Sequence, residues 1–142
     1  MALEKQYVVF HLAGQRYGAP IEVVREVTYL TPVTPLPGAP AHVEGVVDLR
    51  GEVIPVINLH RRLGIPDGDA QGDRRLMVLS LGQRSAAVVV DEVDQVLNLP
   101  TEAVLPPDPS MHLPGQAYVS GIARDSGGGL VVMLDLGGLL AH

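Results

Sequence analysis

Five histidines, at 11, 42, 60, 112 and 142, are the first candidates for metal chemistry. None is spaced as His-x-His or HExxH, the patterns that turn two ring nitrogens to one side of an element, so no transition-metal centre is expected. The stretch DGDAQGD opens like a calcium loop, with Asp67, Asp69, Gln71, Gly72 and Asp73. Such a loop needs a bidentate carboxylate at its twelfth position, and here that position is Val78. The segment reads as a solvated acidic linker, with a weak cation site as the alternative. Serines stand at 80, 85, 110, 120 and 126, none inside G-x-S-x-G. SGGG at 126–129 lacks the Lys-Ser/Thr that completes a phosphate loop, and reads as a turn. Asp91 and Glu92 have no evident partner acid and read as a strand end and a helix start. Cysteine is absent, which removes thiol chemistry. The expectation is a non-enzyme with no metal and no cofactor.

What remains is a charge in an apolar setting. In GVVDLRGEVIPVINLHRRLG (45–64), Arg50 sits at the tip of a hairpin turning at Leu49-Arg50-Gly51-Glu52. One reading is a solvated turn residue. The other is a pair with a carboxylate, Glu26 being the candidate, which would add little stability but would shape a surface. Apolar residues occupy both parities of the following strand, with Val53, Ile57 and Leu59 on one and Ile54 and Val56 on the other. A strand of that kind is packed on both sides or takes part in a contact surface.

The elements that position these residues come twice. VFHLAGQRYGAPIEVVREV (9–27) parallels VLSLGQRSAAVVVDEVDQV (78–96), each ending in a valine pair three apart: Val24 and Val27, then Val93 and Val96. HVEGVVDLRG (42–51) parallels YVSGIARDSG (118–127), and VIPVINLHRRLG (53–64) parallels LVVMLDLGGLLA (130–141). Three matches in one order imply two similar subdomains, about 7–64 and 76–141, within one domain spanning 1–142. Each would carry a strand, a Gly-Gln-Arg turn, a second strand and a later hairpin. PIEVVREV (20–27) reads as a short helix, because Pro20 suits a first helical position and Ile21, Val24 and Val27 recur at threes. On that reading Val24 and Val27 are either helix core or contact residues. The proline-rich stretches 31–40 and 106–114 read as loops running around the structure, and 64–75 as the linker.

Composition agrees. Sixteen Gly and twelve Pro among 142 residues, with one Phe and no Trp, point to many short strands and turns. The net charge of −6, with only His60, Arg61 and Arg62 as a local basic cluster, argues against nucleic acid or an anionic membrane as the main partner. No signal-peptide pattern and no spanning run is present, so a cytoplasmic location is expected.

The same stretches resemble a known family. GVVDLRGEVIPVINLHRRLG is similar to the signature of the CheW family of chemotaxis coupling proteins, whose hairpin usually reads G-V-x-N-L-R-G before an apolar strand ending D-L-R. LGQRSAAVVVDEVDQVLNL and QYVVFHLAGQRYGAPIEVVREV resemble that family's later and opening segments. The likeness spans about residues 6–140. It implies an all-β fold with short helices, made of two intertwined five-stranded SH3-like barrels, with the N-terminal strand able to complete the other barrel. It also implies a non-enzymatic adaptor joining chemoreceptors to the histidine kinase CheA at membrane-bound arrays, without inserting into the membrane. By position, Arg50, Glu26 and Val33 fall on the kinase-facing side. Val24, Val27, Gly45, Val93 and Val96 fall on positions for the receptor, where a groove between the barrels would take a helix tip and Gly45 would allow close approach. Asp48 replaces the usual Asn and could compete with Glu26 for Arg50; Asn58-Leu59-His60 replaces Asp-Leu-Arg. A chain of this length beginning at Met1 is expected to act as a stand-alone adaptor. The competing expectations are a small-molecule-binding barrel with a closed polar-lined pocket, a calcium-responsive module, and a CheW-like adaptor outside chemotaxis.

Overall fold

Both Gly-Gln-Arg segments close tight hairpins, each in its own way. Ala13 and Gly14 both take positive φ, 51° and 82°, as a two-residue type I′ turn requires. In the second, Gly82 alone does, at 68°. These observations come from a computed structural model that describes residues 3–66, 74–108, 110, 116–125 and 127–140. The acidic stretch 67–73, with its possible calcium loop, lies outside the described residues. In chain order the strands are β1 (Glu4–Leu12), β2 (Gln15–Pro20), β3 (Val24–Tyr29), β4 (Val43–Leu49), β5 (Glu52–Asn58), β6 (Arg75–Leu81), β7 (Arg84–Val90), β8 (Glu92–Pro100), β9 (Val119–Arg124) and β10 (Leu130–Leu134). Helix α1 (Leu59–Leu63) follows β5, and α2 (Leu136–Leu140) follows β10.

The strands form two five-stranded sheets, β8-β1-β2-β10-β9 and β3-β6-β7-β5-β4. Each half of the chain therefore gives its leading hairpin to the other. The β1–β2 hairpin joins β10 in parallel, and β6–β7 joins β5 in parallel. The sheets thus do not coincide with 7–64 and 76–141 read along the chain. The exchange uses two short crossovers, the 3-10 turn Ile21–Val23 after β2 and the single residue Asp91 between β7 and β8.

The runs that are apolar on both parities now have a cause. Val8, Phe10 and Leu12 of β1 and Val132 and Leu134 of β10 enter a core shared with Met77, Leu79, Val88 and Val90 of the other sheet. The alternate residues Tyr7, Val9, Val131 and Met133 enter a core private to their own sheet. Likewise Ile54, Val56, Leu76, Val78, Ala87 and Val89 fill the second private core. Central strands sandwiched between two apolar layers have no polar face to show.

Two expected helices are strands. Residues 24–29 form β3 after the 3-10 turn, and Glu92 opens β8. The helical look of valines three apart arises from β-bulges. In β3 the pairing passes from Val24↔Leu79 to Glu26↔Val78, so Arg25 is an extra residue. In β8 it passes from Val93↔Phe10 to Gln95↔Val9, so Asp94 is extra. One inserted residue reverses the side-chain alternation, and a spacing of three then returns to the same face.

The short helices are capped alike. Asn58 Oδ1 accepts from Arg61 N at 3.1 Å, and Asp135 Oδ1 accepts from Gly138 N at 3.1 Å. The proline-rich segments act as straps. Thr34 and Val46 exchange backbone hydrogen bonds of 2.8 and 2.9 Å, and Leu105 and Ile122 do so at 2.9 and 2.8 Å.

Candidate functional site

The site is built from the β4–β5 turn. Arg50 and Gly51 have φ of 52° and 89°, the type I′ geometry that favours Asn-Gly. An arginine in the left-handed region stands there against local preference, which directs attention to its side chain. Arg50 Nη2 donates to Glu26 Oε1 on β3. That hydrogen bond first, and then the charge of Glu26, raises the Arg50 pKa above its ordinary value. Asp48 does not compete, because its Oδ1 accepts from Gly51 N at 2.8 Å and braces the turn. Arg25, the bulge residue, pairs with Glu52 at 2.9 Å on the far arm of the same turn. Two ion pairs thus tie the hairpin tip to β3, the opposite edge of its sheet. The Arg50 side chain nevertheless stays 68% exposed, so the tip presents a positioned cation to solvent.

The other sheet ties its hairpin with different chemistry. Arg16 of β2 pairs with Asp125 beyond β9 and, at 3.7 Å, with Asp94, the bulge residue of β8. His11 lies 3.5 Å from Asp94. Asp125 also accepts from Gly127 N and Gly129 N, both at 2.9 Å, and its carboxylate is buried. The duplicated architecture therefore offers its exposed charged tip on the Arg50 side.

Val33 packs, partly buried, on the private core of the same sheet. Gly45 is buried with φ of 148°, and a Cβ there would lie 2.7 Å from Thr34 C and 2.9 Å from Pro35 Cα. What approaches Gly45 closely is the chain's own strap, so its glycine is required from within. Gly121 holds the equivalent place, facing Val104 and Leu105.

Val24 and Val27 occupy the opposite face of β3, and Val93 and Val96 stand on β8. Register places Val24 and Val27 opposite Leu79 and Met77, and Val93 and Val96 opposite Phe10 and Val8, all four partners in the shared core. Directly paired residues lie on one face of a sheet, so both valine pairs lie on the seam side. Val24, Val93 and Ile21 pack against the shared core, whereas Val27 and Val96 are 39% and 47% exposed. Glu26, opposite Val78 of the private core, faces away from them.

Two residues that the sequence reading did not single out as site residues belong here. Val53, 66% exposed, stands on β5 three residues after Arg50. Its signal was the doubly apolar strand, whose other members are buried. Glu44 accepts from Asn58 Nδ2 at 2.6 Å, which explains Asn where the resembling family has Asp: a second carboxylate would oppose Glu44. His60, in place of the family's Arg, is buried with Nε2 3.6 Å from Asp91 Oδ2, at the β7–β8 crossover.

For metal or small-molecule chemistry the described residues offer less. No group of three or more His, Asp or Glu gathers among them. A groove of about 530 Å³ runs beside β9 and β10, lined by Leu105, Pro106, Ile122 and Leu130. Its two polar liners are engaged with backbone, Gln15 donating to Arg16 O and Arg124 to Gly128 O. Burial pushes the Tyr17 phenol up, and hydrogen bonds from Ser110 hold the Asp108 carboxyl below its usual range. Among the described residues no helix is long and apolar enough to cross a membrane.

The fold recurs in known proteins. The family model for the CheW-like domain matches residues 6–142. The chain is 33% identical over 132 residues to chemotaxis protein CheW of Treponema pallidum (strain Nichols), covering 90% of this chain and 78% of that one. It is 35% identical over 123 residues to protein FrzA of Myxococcus xanthus, covering 83% and 77%. The crystal structure of scaffolding protein TtCheW from Thermoanaerobacter tengcongensis matches with a TM-score of 0.88 at 32% identity, over 100% of this chain and 91% of that one.

Proposed function

The chain belongs to the CheW-like domain family, and we propose that it is a non-enzymatic cytoplasmic scaffold coupling methyl-accepting chemoreceptors to the histidine kinase CheA at receptor arrays. One observation carries this reading. The bulged strand β3 turns Glu26 toward the Arg50 tip on one face and Val24 and Val27 toward the seam on the other. A single rigid strand thereby serves two surfaces of different chemistry, as a coupler of two partners requires.

The kinase regulatory domain would dock on the Arg50 tip, with Glu26 fixing the guanidinium, Val53 adding apolar contact and Val33 supporting the strap. The receptor tip, a helical hairpin, would lie in the seam against Val24, Val27, Val93 and Val96. A helix in an apolar groove is an established recognition mode. Gly45 would act indirectly, by letting the strap close. The small-molecule reading is less favoured, because the polar liners of the β9–β10 groove already bond to backbone.

The test titrates full-length protein with a receptor-tip fragment and with the kinase regulatory domain. Arg50→Glu should weaken kinase binding alone, and Val96→Asp receptor binding alone. Wild-type affinity of both variants for both partners would overturn the assignment.

A further inference from the structure

Three carboxylates surround the Arg50 turn, and each has its own place. Asp48 is taken by the backbone, its Oδ1 accepting from Gly51 N at 2.8 Å. Glu26 accepts from Arg50 Nη2. Glu52, which opens β5, is the third. Its charge also reaches Arg50: of the causes that raise the Arg50 pKa, the Glu26 hydrogen bond comes first, the Glu26 charge next and the Glu52 charge last. Glu52 is itself paired with Arg25, Nη1 to Oε1 at 2.9 Å. The same Nη1 lies 3.5 Å from Ser85 Oγ on β7, a weaker contact. Adjacent residues of a regular strand point to opposite faces. Because Arg25 is the extra residue of the β3 bulge, it and Glu26 both reach the one turn.

We propose that Arg25 is a positioning residue for the kinase-facing tip: by occupying Glu52 it removes the rival carboxylate and keeps the Arg50 guanidinium on Glu26. This rests on the tip being the kinase site. Glu52 is two residues from Arg50 along the chain, and a guanidinium fork fits either carboxylate equally well. With Arg25 gone, the Arg50 head divides between Glu26 and Glu52 and is no longer set in one direction before a partner arrives. A partner must then order it on binding, which lowers affinity. A single exposed ion pair adds little to stability, so the contribution of Arg25 lies in where it sends the other charges of the network.

Two quantities are measured on the full chain: the order of the Arg50 Nε–H group by nitrogen relaxation, which needs no partner, and affinity for the kinase regulatory domain by titration calorimetry. The variants are Arg25→Ala, Arg25→Lys, Glu52→Gln, Arg25→Ala with Glu52→Gln, and Arg50→Glu. Arg25→Ala should lower the order of Arg50 and weaken kinase binding about two- to fivefold. Arg25→Lys, which still occupies Glu52, should retain most of both. Glu52→Gln should raise affinity far more in the Arg25→Ala background than in wild type, and should return Arg50 to its ordered state. If Arg25 instead touched the kinase, or merely held the strand, removing Glu52 would bring no such recovery. The proposal is overturned if Arg25→Ala leaves the order of Arg50 unchanged, if it leaves kinase affinity unchanged where Arg50→Glu lowers it, or if the double variant is no better than Arg25→Ala. If Arg50 order follows the expected pattern while Arg50→Glu binds the kinase as wild type, the positioning of Arg50 stands and the tip reading itself fails. The Arg25 and Glu52 side chains are 36% and 44% exposed, so these variants keep the fold.

Discussion

Gly45→Ala is the sharpest test of how the strap is held. The new methyl carbon would sit 2.7 Å from Thr34 C and 2.9 Å from Pro35 Cα, backbone atoms that no rotamer change can move aside. The strap must lift, and its two hydrogen bonds to Val46, 2.8 and 2.9 Å, go with it. Each contributes roughly 0.5–1.5 kcal/mol. Holding a non-glycine residue at φ of 148° adds roughly 1–3 kcal/mol. The sum is roughly 2–6 kcal/mol, a large part of the 5–15 kcal/mol or so that stabilises a typical domain. At about 2–4 °C per kcal/mol, a mid-range loss lowers Tm by roughly 10 °C. Calorimetry reads the shift, and hydrogen exchange should show the Thr34 and Val46 amides losing protection first. Gly121→Ala should cost less, because φ there is ordinary and a nearby obstacle is the movable Val104 side chain. A Gly45→Ala protein melting within about 2 °C of wild type, with both amides still protected, would refute the reasoning.

Other outcomes follow from the same contacts. Reversing the tip pair, Glu26→Arg with Arg50→Glu, should restore hairpin order that either single change loosens, as read from backbone relaxation of residues 48–52, but should not restore kinase binding if the partner meets the exposed cation. Asn58→Asp keeps the helix cap but sets a carboxylate against Glu44; a loss of roughly 1–3 kcal/mol is expected by urea titration, relieved by a second change, Glu44→Gln. Phe10→Ala empties the shared core at a fully buried position and should cost about 3–5 kcal/mol. Because both sheets depend on that core, amides of β1 and of β6 should lose protection together; separate transitions would contradict a joint core.

Much of this was legible in the chain. The Arg50 turn and its neighbours are local: two residues of positive φ between strands leave a mark in composition, and Leu49-Arg50-Gly51-Glu52 turns as read. The doubling was legible because each half repeats its turns and apolar residues in order. The 20–27 segment was misread because valines three apart suit either a helix or a bulged strand, and nothing within the segment decides. β-branched Val23, Val24, Val27 and Thr28 lean toward strand, but the deciding register belongs to β6, some fifty positions away.

By itself, then, the sequence determined the two-fold pattern, the tight turns, the all-β class and the charged tip. Those depend on backbone preferences and apolar spacing within short windows. Only the tertiary structure decided that the hairpins are exchanged, that Arg25 and Asp94 bulge, that Gly45 answers to a strap, and that Glu26 and Val27 face opposite ways. Each of these depends on which distant strand pairs with which, and on the residue where that pairing slips. A slip of one residue reverses every side chain beyond it, so the placement of the two surfaces is a property of register, which no short stretch of the chain contains.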